Sequence, residues 1–398
     1  MSDRSRLTIA AFLRAVATGM VGILLGVYLP RAGCSPAETG FIVAAGLAGG
    51  AVAMLLATLR GDAFGRKRAL IALGVLGAAG IAVVAATTTP GLLAAAAFLG
   101  MVNGMGRDRG ASLVLEQAIL PATTEDGGRT RAFAWYNVAQ DSGHALGSLC
   151  AALPAIVRRF AGIDELLSLR FGLGVAAGIV LATAVVYFDV TPAVEAATDR
   201  THRAVSPETK RVLWRLGSLF ALDSLGGGFL TATLVSLFFF QRFGVNEALL
   251  GPLFFCARVL NALSHLAAAW LARRIGLVAT MVFTHIPSSL LLLTVPFAPT
   301  FPIAAALFLL REGLVEMDVP TRQSYVMAVV RPEERTFASG VTQLVRTAAW
   351  AVAPAFAGVM MQGVSMATPL VAGAATKIAY DLLLWSAFRK LKPPEERG

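Results

Sequence analysis

Twelve long apolar segments, separated by connections of only a few residues, constrain this chain more than any other feature. They fall at 7–30, 38–59, 69–89, 91–115, 132–156, 169–188, 212–240, 247–271, 276–297, 301–321, 337–361 and 367–388. A helix that crosses bilayer hydrocarbon needs about 20 apolar residues, and each segment meets or approaches that length. Residues are 56% hydrophobic and only 15% charged, against about 25% charged in a globular domain. So little charge cannot clothe the soluble domains that 398 residues would otherwise form. The expected fold class is an all-α polytopic membrane protein of twelve transmembrane helices. Its longest polar stretch carries Pro192, Asp199, Arg200, Arg203, Pro207 and Lys210. The expected domains are therefore an N-terminal six-helix bundle at 1–188, a cytoplasmic linker at 189–211 and a C-terminal six-helix bundle at 212–398.

The formal net charge of +10 raises the question of nucleic acid. Scattered basic residues without an aromatic-interleaved basic domain exclude that partner. With both termini inside, 21 of the 34 Lys and Arg fall on cytoplasmic segments and 5 (Arg31, Arg158, Arg159, Arg170 and Arg242) on outer loops or at their edge. That asymmetry follows the positive-inside rule and orients the chain with both ends cytoplasmic. The first apolar run is long and contains Arg14, so it is expected to be a retained span and not a cleaved signal. Cys34, Cys150 and Cys256 lie far apart without metal-ligand spacing, which implies neither a disulfide framework nor a zinc site. No Gly-x-x-x-x-Gly-Lys-Ser/Thr run occurs, so ATP-driven transport is not expected. Without a catalytic triad or a metal motif, the chain is expected to be no enzyme and to need no cofactor.

The two halves echo each other. Arg31-x-Gly33 followed by Gly40 recurs 211 residues later as Arg242-x-Gly244 followed by Gly251. The same offset carries Gly65 onto Gly276, Arg107 onto Asp318 and Pro121 onto Pro332. Arg131-x-Phe133-Ala134 and Arg335-x-Phe337-Ala338 repeat at 204. Parallel six-span halves are a recurring transporter plan.

The connection between the second and third segments reads Arg60-Gly61-Asp62-Ala63-Phe64-Gly65-Arg66-Lys67-Arg68. It resembles the signature loop of the major facilitator superfamily, Gly-x-Leu-Ala-Asp-Arg-x-Gly-Arg-Arg/Lys, at the same point in the topology. Asp62, Gly65, Arg66 and Lys67 match that pattern; Thr58, Arg60 and Ala63 depart from it. The resemblance implies a twelve-span transporter whose spans 1, 4, 7 and 10 line a central cavity, with a gating loop at Asp62, Gly65, Arg66 and Lys67. A carboxylate there can cap a helix start, and the basic groups can form charge-assisted bonds. In the second half, Arg273 stands where the loop's Asp would recur.

Ionisable side chains at membrane depth are costly and face a cavity or one another. The spans that the resemblance assigns to the cavity carry most of them. Span 1 has Arg14; span 4 has Arg107, Asp108 and Arg109; span 7 has Asp223; span 10 has Arg311, Glu312, Glu316 and Asp318. Arg311, Asp318 and Arg322 share one helical face by spacing. Span 5 adds the stripe Asn137, Gln140, Asp141 and His144, and span 11 adds Gln343 and Arg346. Span 8 carries Arg258, Asn261 and His265. His285 is expected to be a packing residue, and Lys377 and Asp381, four apart, are expected to pair with each other. Gly226 to Gly228 and Asp318-Val319-Pro320 are the expected helix interruptions, since Gly and Pro loosen the backbone ladder.

These residues point to a secondary transporter that moves a small solute by alternating access, with proton-coupled efflux (antiport) as the first expectation. The alternative is an uptake permease or facilitator for an organic anion, favoured by Arg14, Arg107, Arg109, Arg311 and Arg346. A membrane receptor or enzyme is the remote third. Gly143-His144-Ala145-Leu146-Gly147 lacks the Gly-Pro ending of the drug-antiporter motif on span 5. The expected partners are a small-molecule solute, protons and the lipid bilayer. The expected state is a monomer in the plasma membrane, the inner membrane if the source is bacterial.

Overall fold

The computed structural model describes residues 1–123, 129–195, 206–318 and 335–388. Its regular elements are α1 (Asp3–Arg31), α2 (Pro36–Phe64), α3 (Arg66–Ala86), α4 (Pro90–Leu99), α5 (Ala111–Ile119), α6 (Arg129–Cys150), α7 (Leu153–Ala161) and α8 (Glu165–Phe188). These are followed by α9 (Pro207–Gly228), α10 (Ala232–Phe243), α11 (Glu247–Ile275), α12 (Leu277–Thr294), α13 (Phe301–Val315), α14 (Arg335–Gly363) and α15 (Thr368–Phe388). Together they make twelve spans, with α4 and α5 forming span 4, α9 and α10 forming span 7, and α7 lying in the connection after span 5. Among the described residues, eight helices are long and apolar enough to cross a membrane. Spans 4, 5, 10 and 12 fall outside that set: span 4 is split, span 5 is polar, span 10 is described only to Asp318, and span 12 carries Lys377 and Asp381.

Local chemistry sets the helix starts. Ser35 and Glu38 exchange backbone and side-chain bonds, Glu38 Oε2 accepting from the Ser35 amide at 2.7 Å, a capping box that opens α2. Asp164 caps α8, Ser206 caps α9 just before Pro207, and Thr231 caps α10. The Thr231 cap restarts span 7 directly after Gly226 to Gly228, where the sequence places an interruption.

Span 4 departs from expectation. The segment 91–115 reads as one continuous helix, yet the helix stops at Leu99 and resumes only at Ala111. Four glycines (100, 104, 106 and 110) and the backbone-competing Asn103 and Asp108 explain the stop. Gly106 takes φ +70° and Met101 φ +52°. Unwound backbone at this depth survives only if protein or a water-filled cavity satisfies it. Here Asn103 Oδ1 accepts from the Met105 amide at 2.8 Å and Asn103 Nδ2 donates to the Arg107 carbonyl at 2.7 Å. The Gly104 carbonyl accepts from the Thr233 amide and hydroxyl, both at 3.1 Å. His144 Nε2 accepts from the Asp108 amide at 2.7 Å. Span 5 departs too: α6 ends at Cys150 short of the expected 156, and Pro154 sits in the first turn of α7.

The chain divides into two compact units. One comprises Met1–Arg200, Thr231–Phe255 and Pro354–Gly363; the other comprises Thr201–Leu230, Cys256–Ala353 and Val364–Gly398. The first is organised around α1, which is buried continuously from Ala15 to Leu29 and packs on α6, α8 and α10. Small residues permit this. A Cβ on Gly22 would lie 2.6 Å from Gly106 Cα, and one on Gly147 would lie 2.0 Å from the Val16 carbonyl oxygen. In the second unit α12 packs against α13 and α15, and α15 against α9. Leu216, Phe220, Met281, Tyr380 and Leu384 form its apolar core.

Replacing Gly147 by Ala should push α6 off α1 and destabilise the fold by about 1–3 kcal/mol, the usual cost of overpacking. Gly178→Ala, where a Cβ meets nothing within 4 Å, should leave stability unchanged. Thermal unfolding of the two variants in detergent checks this, and equal midpoints would refute the close α1–α6 approach.

Candidate functional site

In the first unit, the polar side chains of α1, α5, α6 and α8 converge on Arg14. Arg14 Nε donates to Asp108 Oδ2 at 2.5 Å, and Nη2 and Nη1 reach Glu116 Oε2 at 2.5 Å and Oε1 at 3.1 Å. Arg14 Nη1 also donates to the Tyr187 hydroxyl at 2.6 Å. The hydroxyls of Tyr187 and Tyr136 each donate to Glu116 at 2.6 Å. Glu116, at 0% exposure, is thus a carboxylate with both oxygens fully engaged. Asp108 is held more loosely, its Oδ1 accepting, among the described residues, from the Gly110 amide at 3.2 Å. One guanidinium here serves two buried carboxylates.

In the second unit, α9, α12, α14 and α15 bring Asp223, His285, Arg346, Lys377 and Asp381 together. Lys377 Nζ donates to Asp223 Oδ1 at 2.8 Å and lies 3.3 Å from His285 Nε2. His285 Nδ1 is 3.0 Å and 3.1 Å from the two oxygens of Asp381. These partners assign a neutral imidazole that donates from Nδ1 and accepts at Nε2. Arg346 Nη2 lies 3.7 Å from Asp223, and its guanidinium stacks over Trp350 at 4.9 Å. The expected Lys377–Asp381 pair is therefore replaced by Lys377–Asp223 and His285–Asp381. Spacing along one helix gave no sight of the neighbouring α9 and α12. His285, read as a packing residue, is buried but bonded on both ring nitrogens.

Span 10 contributes a third set within the same unit. Arg311 pairs with its neighbour Glu312, and Asn261 Nδ2 donates to the Glu312 carbonyl at 2.7 Å and to Oε2 at 3.0 Å. Glu316 lies 3.9 Å from His265, and Asp318 is buried. Helix α13 ends at Val315. Val319, Pro320 and Arg322 lie outside the described residues.

The remaining expected site residues distribute as follows. The span 5 stripe splits: Gln140 and His144 are buried with Tyr136, whereas Asn137 and Asp141 are exposed. Arg107 and Arg109 are half-buried along the unwound stretch. In the gating loop, Gly65 takes φ +95° at the start of α3. The amides of Arg66 and Lys67 donate to Glu195 at 2.7 Å and 3.0 Å. Glu195, on a single 3-10 turn at Pro192–Glu195, thus caps α3, and the Arg66 side chain is buried. The side chain of Asp62 lies outside the described ones.

Sequence reasoning passed over Glu116, Tyr136, Tyr187 and Glu195. Glu116 falls one residue beyond the expected end of span 4 and so read as loop. A usable signal existed for Tyr136: it shares the i, i+4, i+8 face of Gln140 and His144.

Comparison with known proteins places this fold. The model of the Major Facilitator Superfamily matches residues 7–354. An uncharacterised membrane protein of Saccharomyces cerevisiae is 24% identical over 421 residues, covering 97% of this chain and 94% of its own. The crystal structure of the nucleoside transporter NupG is similar with a TM-score of 0.77 at 14% identity, over 98% of this chain and all of that one. A POT family peptide transporter is similar with a TM-score of 0.73 at 12% identity, over 97% of this chain and 96% of that one. Matched by the family's model over most of its length, the chain belongs to the Major Facilitator Superfamily.

Proposed function

We propose that this membrane transporter couples the movement of a small solute to protons, with efflux by antiport as its leading mode. The observation that carries the reading is the Arg14 site, where two buried carboxylates share one guanidinium. Such an arrangement holds an excess negative charge at a depth where charge is expensive, and one proton relieves it. Glu116 has four donors and is the fixed member. Asp108, with one strong partner and one long bond, is the more loosely held member and the one this reading assigns to coupling.

The second cluster supports a different role. Asp223 and Asp381 are matched by Lys377 and Arg346, so the site balances without a proton, and His285 bridges Asp381 and Lys377. In this reading it holds spans 7, 9, 11 and 12 together and supplies a countercharge as the six-span halves at 1–188 and 212–398 alternate. The transporter works as a monomer in the plasma membrane with both termini cytoplasmic, which the Lys and Arg distribution supports.

One observation favours a second reading, uptake of an organic anion: Arg107 and Arg109 flank the interruption of span 4. The two readings differ in sign. In antiport, solute and proton exclude each other; in anion uptake they bind together.

Energised inverted vesicles carrying a pH-sensitive quenched dye should dequench when an exported solute is added, and Asp108→Asn should cut that response by at least about tenfold. An unchanged response in the variant would remove Asp108 from the coupling, and solute flux without any pH change would leave a uniporter. For the second cluster, Lys377→Met should destabilise the protein by about 3–5 kcal/mol, because it removes the nearest cation from buried Asp223. The Asp223→Asn/Lys377→Met double variant should recover most of the loss. Denaturation in detergent measures both, and additive losses would show that the two side chains are not coupled.

A further inference from the structure

At the end of the first unit marked by the α1–α2 turn, parts of both six-span halves are held together. α10 packs on α1, with Gly26 directly against the Thr233 carbonyl. Gly40 of α2 lies against the Pro354 carbonyl of α14, and the Ala37 amide donates to Gln362 Oε1 at 3.1 Å. A Cβ on Gly251 of α11 would lie 3.0 Å from the Ser148 carbonyl oxygen of α6. These contacts are close backbone packing and a neutral hydrogen bond. An ion pair crosses the same seam: Arg158 Nη2 donates to Glu247 Oε1 at 2.8 Å.

The two members of this pair stand in unequal surroundings. Arg158 belongs to α7, in the connection between spans 5 and 6. Its Nη1 donates to the Ser168 hydroxyl at 2.8 Å, so one branch of the guanidinium is moored to α8 of its own half while the other reaches across. The Arg158 side chain keeps 23% exposure and that of Glu247 keeps 0%. Glu247 Oε2 is buried and has no partner among the described residues. Glu247 lies in the first turn of α11, where the helix dipole favours an anion. Arg31 and Arg242, at the same end, are engaged elsewhere: Arg31 pairs with Glu165 and lies over Phe240, and Arg242 lies over Phe243. Arg158 is therefore the cation that covers Glu247.

Removing one member of a buried pair leaves the charge of the other uncompensated, and the damage depends on which one remains. Without Glu247, Arg158 retains Ser168 and its exposed surface. Without Arg158, Glu247 is a carboxylate with neither a cation nor exposed surface, the costlier case. Hydrating it requires α11 to part from α6 and α7. We propose that Arg158 latches this end of the transporter shut by covering Glu247, and that loss of the cover, more than loss of attraction, drives the end open. In the cycle, Nη2 leaves Glu247 while Nη1 keeps Ser168, and water entering the seam takes over the carboxylate. The inference rests on the alternation of the two six-span halves proposed above. It makes Arg158 a positioning residue on a connecting helix, outside the spans and outside both buried charge clusters.

The test uses the full chain in lipid nanodiscs with Cys34, Cys150 and Cys256 replaced by Ala. Spin labels on Leu167→Cys of α8 and Gln241→Cys of α10, both exposed at this end, report the separation of the halves by double electron–electron resonance. With the pair intact, one short distance should predominate. Arg158→Met should raise the separated population at least about tenfold, whereas Glu247→Met should change it by less than about twofold. The Arg158→Met/Glu247→Met double variant, which leaves no charge to cover, should return to within about twofold of the parent. The proposal is overturned if Arg158→Met leaves the distances unchanged, if Glu247→Met opens this end as far as Arg158→Met does, or if the double variant stays open. Arg158→Gln takes the place of Arg158→Met if the latter does not elute as a monodisperse peak. The measurement needs neither solute nor a proton gradient. Proteoliposomes without solute flux would therefore remove the coupled-transport reading and leave the latch standing.

Discussion

Backbone amides and carbonyls cannot be left bare in hydrocarbon, and the first unit is arranged around one place where the helix fails to satisfy them. Between Leu99 and Ala111 the chain gives up its internal ladder. The replacement partners come from three directions: Asn103 from within the stretch, Thr233 from α10 and His144 from α6, while the α1 backbone at Gly22 packs closely on Gly106. Each unsatisfied group would cost about 1–3 kcal/mol, so these contacts are requirements more than embellishments. They explain why α1 is buried along most of its length and why its packing face is glycine-rich.

The same interruption delivers the chemistry. A continuous helix would have carried Arg107, Asp108 and Arg109 around a cylinder at 100° steps. The unwound chain instead buries Asp108 against Arg14 and leaves Arg107 and Arg109 half-buried. Acid and base are separated by backbone conformation, at a spacing of one residue, without any long side chain having to reach across. In the second unit the helices remain intact around Asp223 and His285, and charge is balanced by side chains from four different helices.

Much of this was legible in the chain itself. The count and placement of spans follow from the apolar runs, and Gly226 to Gly228 correctly announced the break in span 7. The membership of the superfamily was readable from Asp62, Gly65, Arg66 and Lys67. The break in span 4 was hidden because Met101, Val102 and Met105 keep its mean hydropathy high, so a window average passes over four glycines. Partners across helices were hidden for a different reason. Spacing on α15 pairs Lys377 with Asp381, but only the packing of α9 and α12 beside it decides that Asp223 and His285 take those roles. Tyr136 and Tyr187 are uncharged at neutral pH and therefore escape a search for charged groups at membrane depth.

Three of the five boundaries between the two compact units fall inside helical spans. One lies between Leu230 and Thr231, just past the triple glycine of span 7, and another lies between Ala353 and Pro354 in the middle of α14. Pro354 has no amide hydrogen to tie its turn to the one before, and a triple glycine resists bending least of any sequence. Span 7 and α14 therefore each carry a point where the helical ladder is loosened. The loosened stretch of span 7 is packed directly on the second charge cluster: a Cβ at Gly226 would lie 3.1 Å from Lys377 Cγ, and one at Gly227 would lie 3.2 Å from the Trp350 indole that stacks with Arg346.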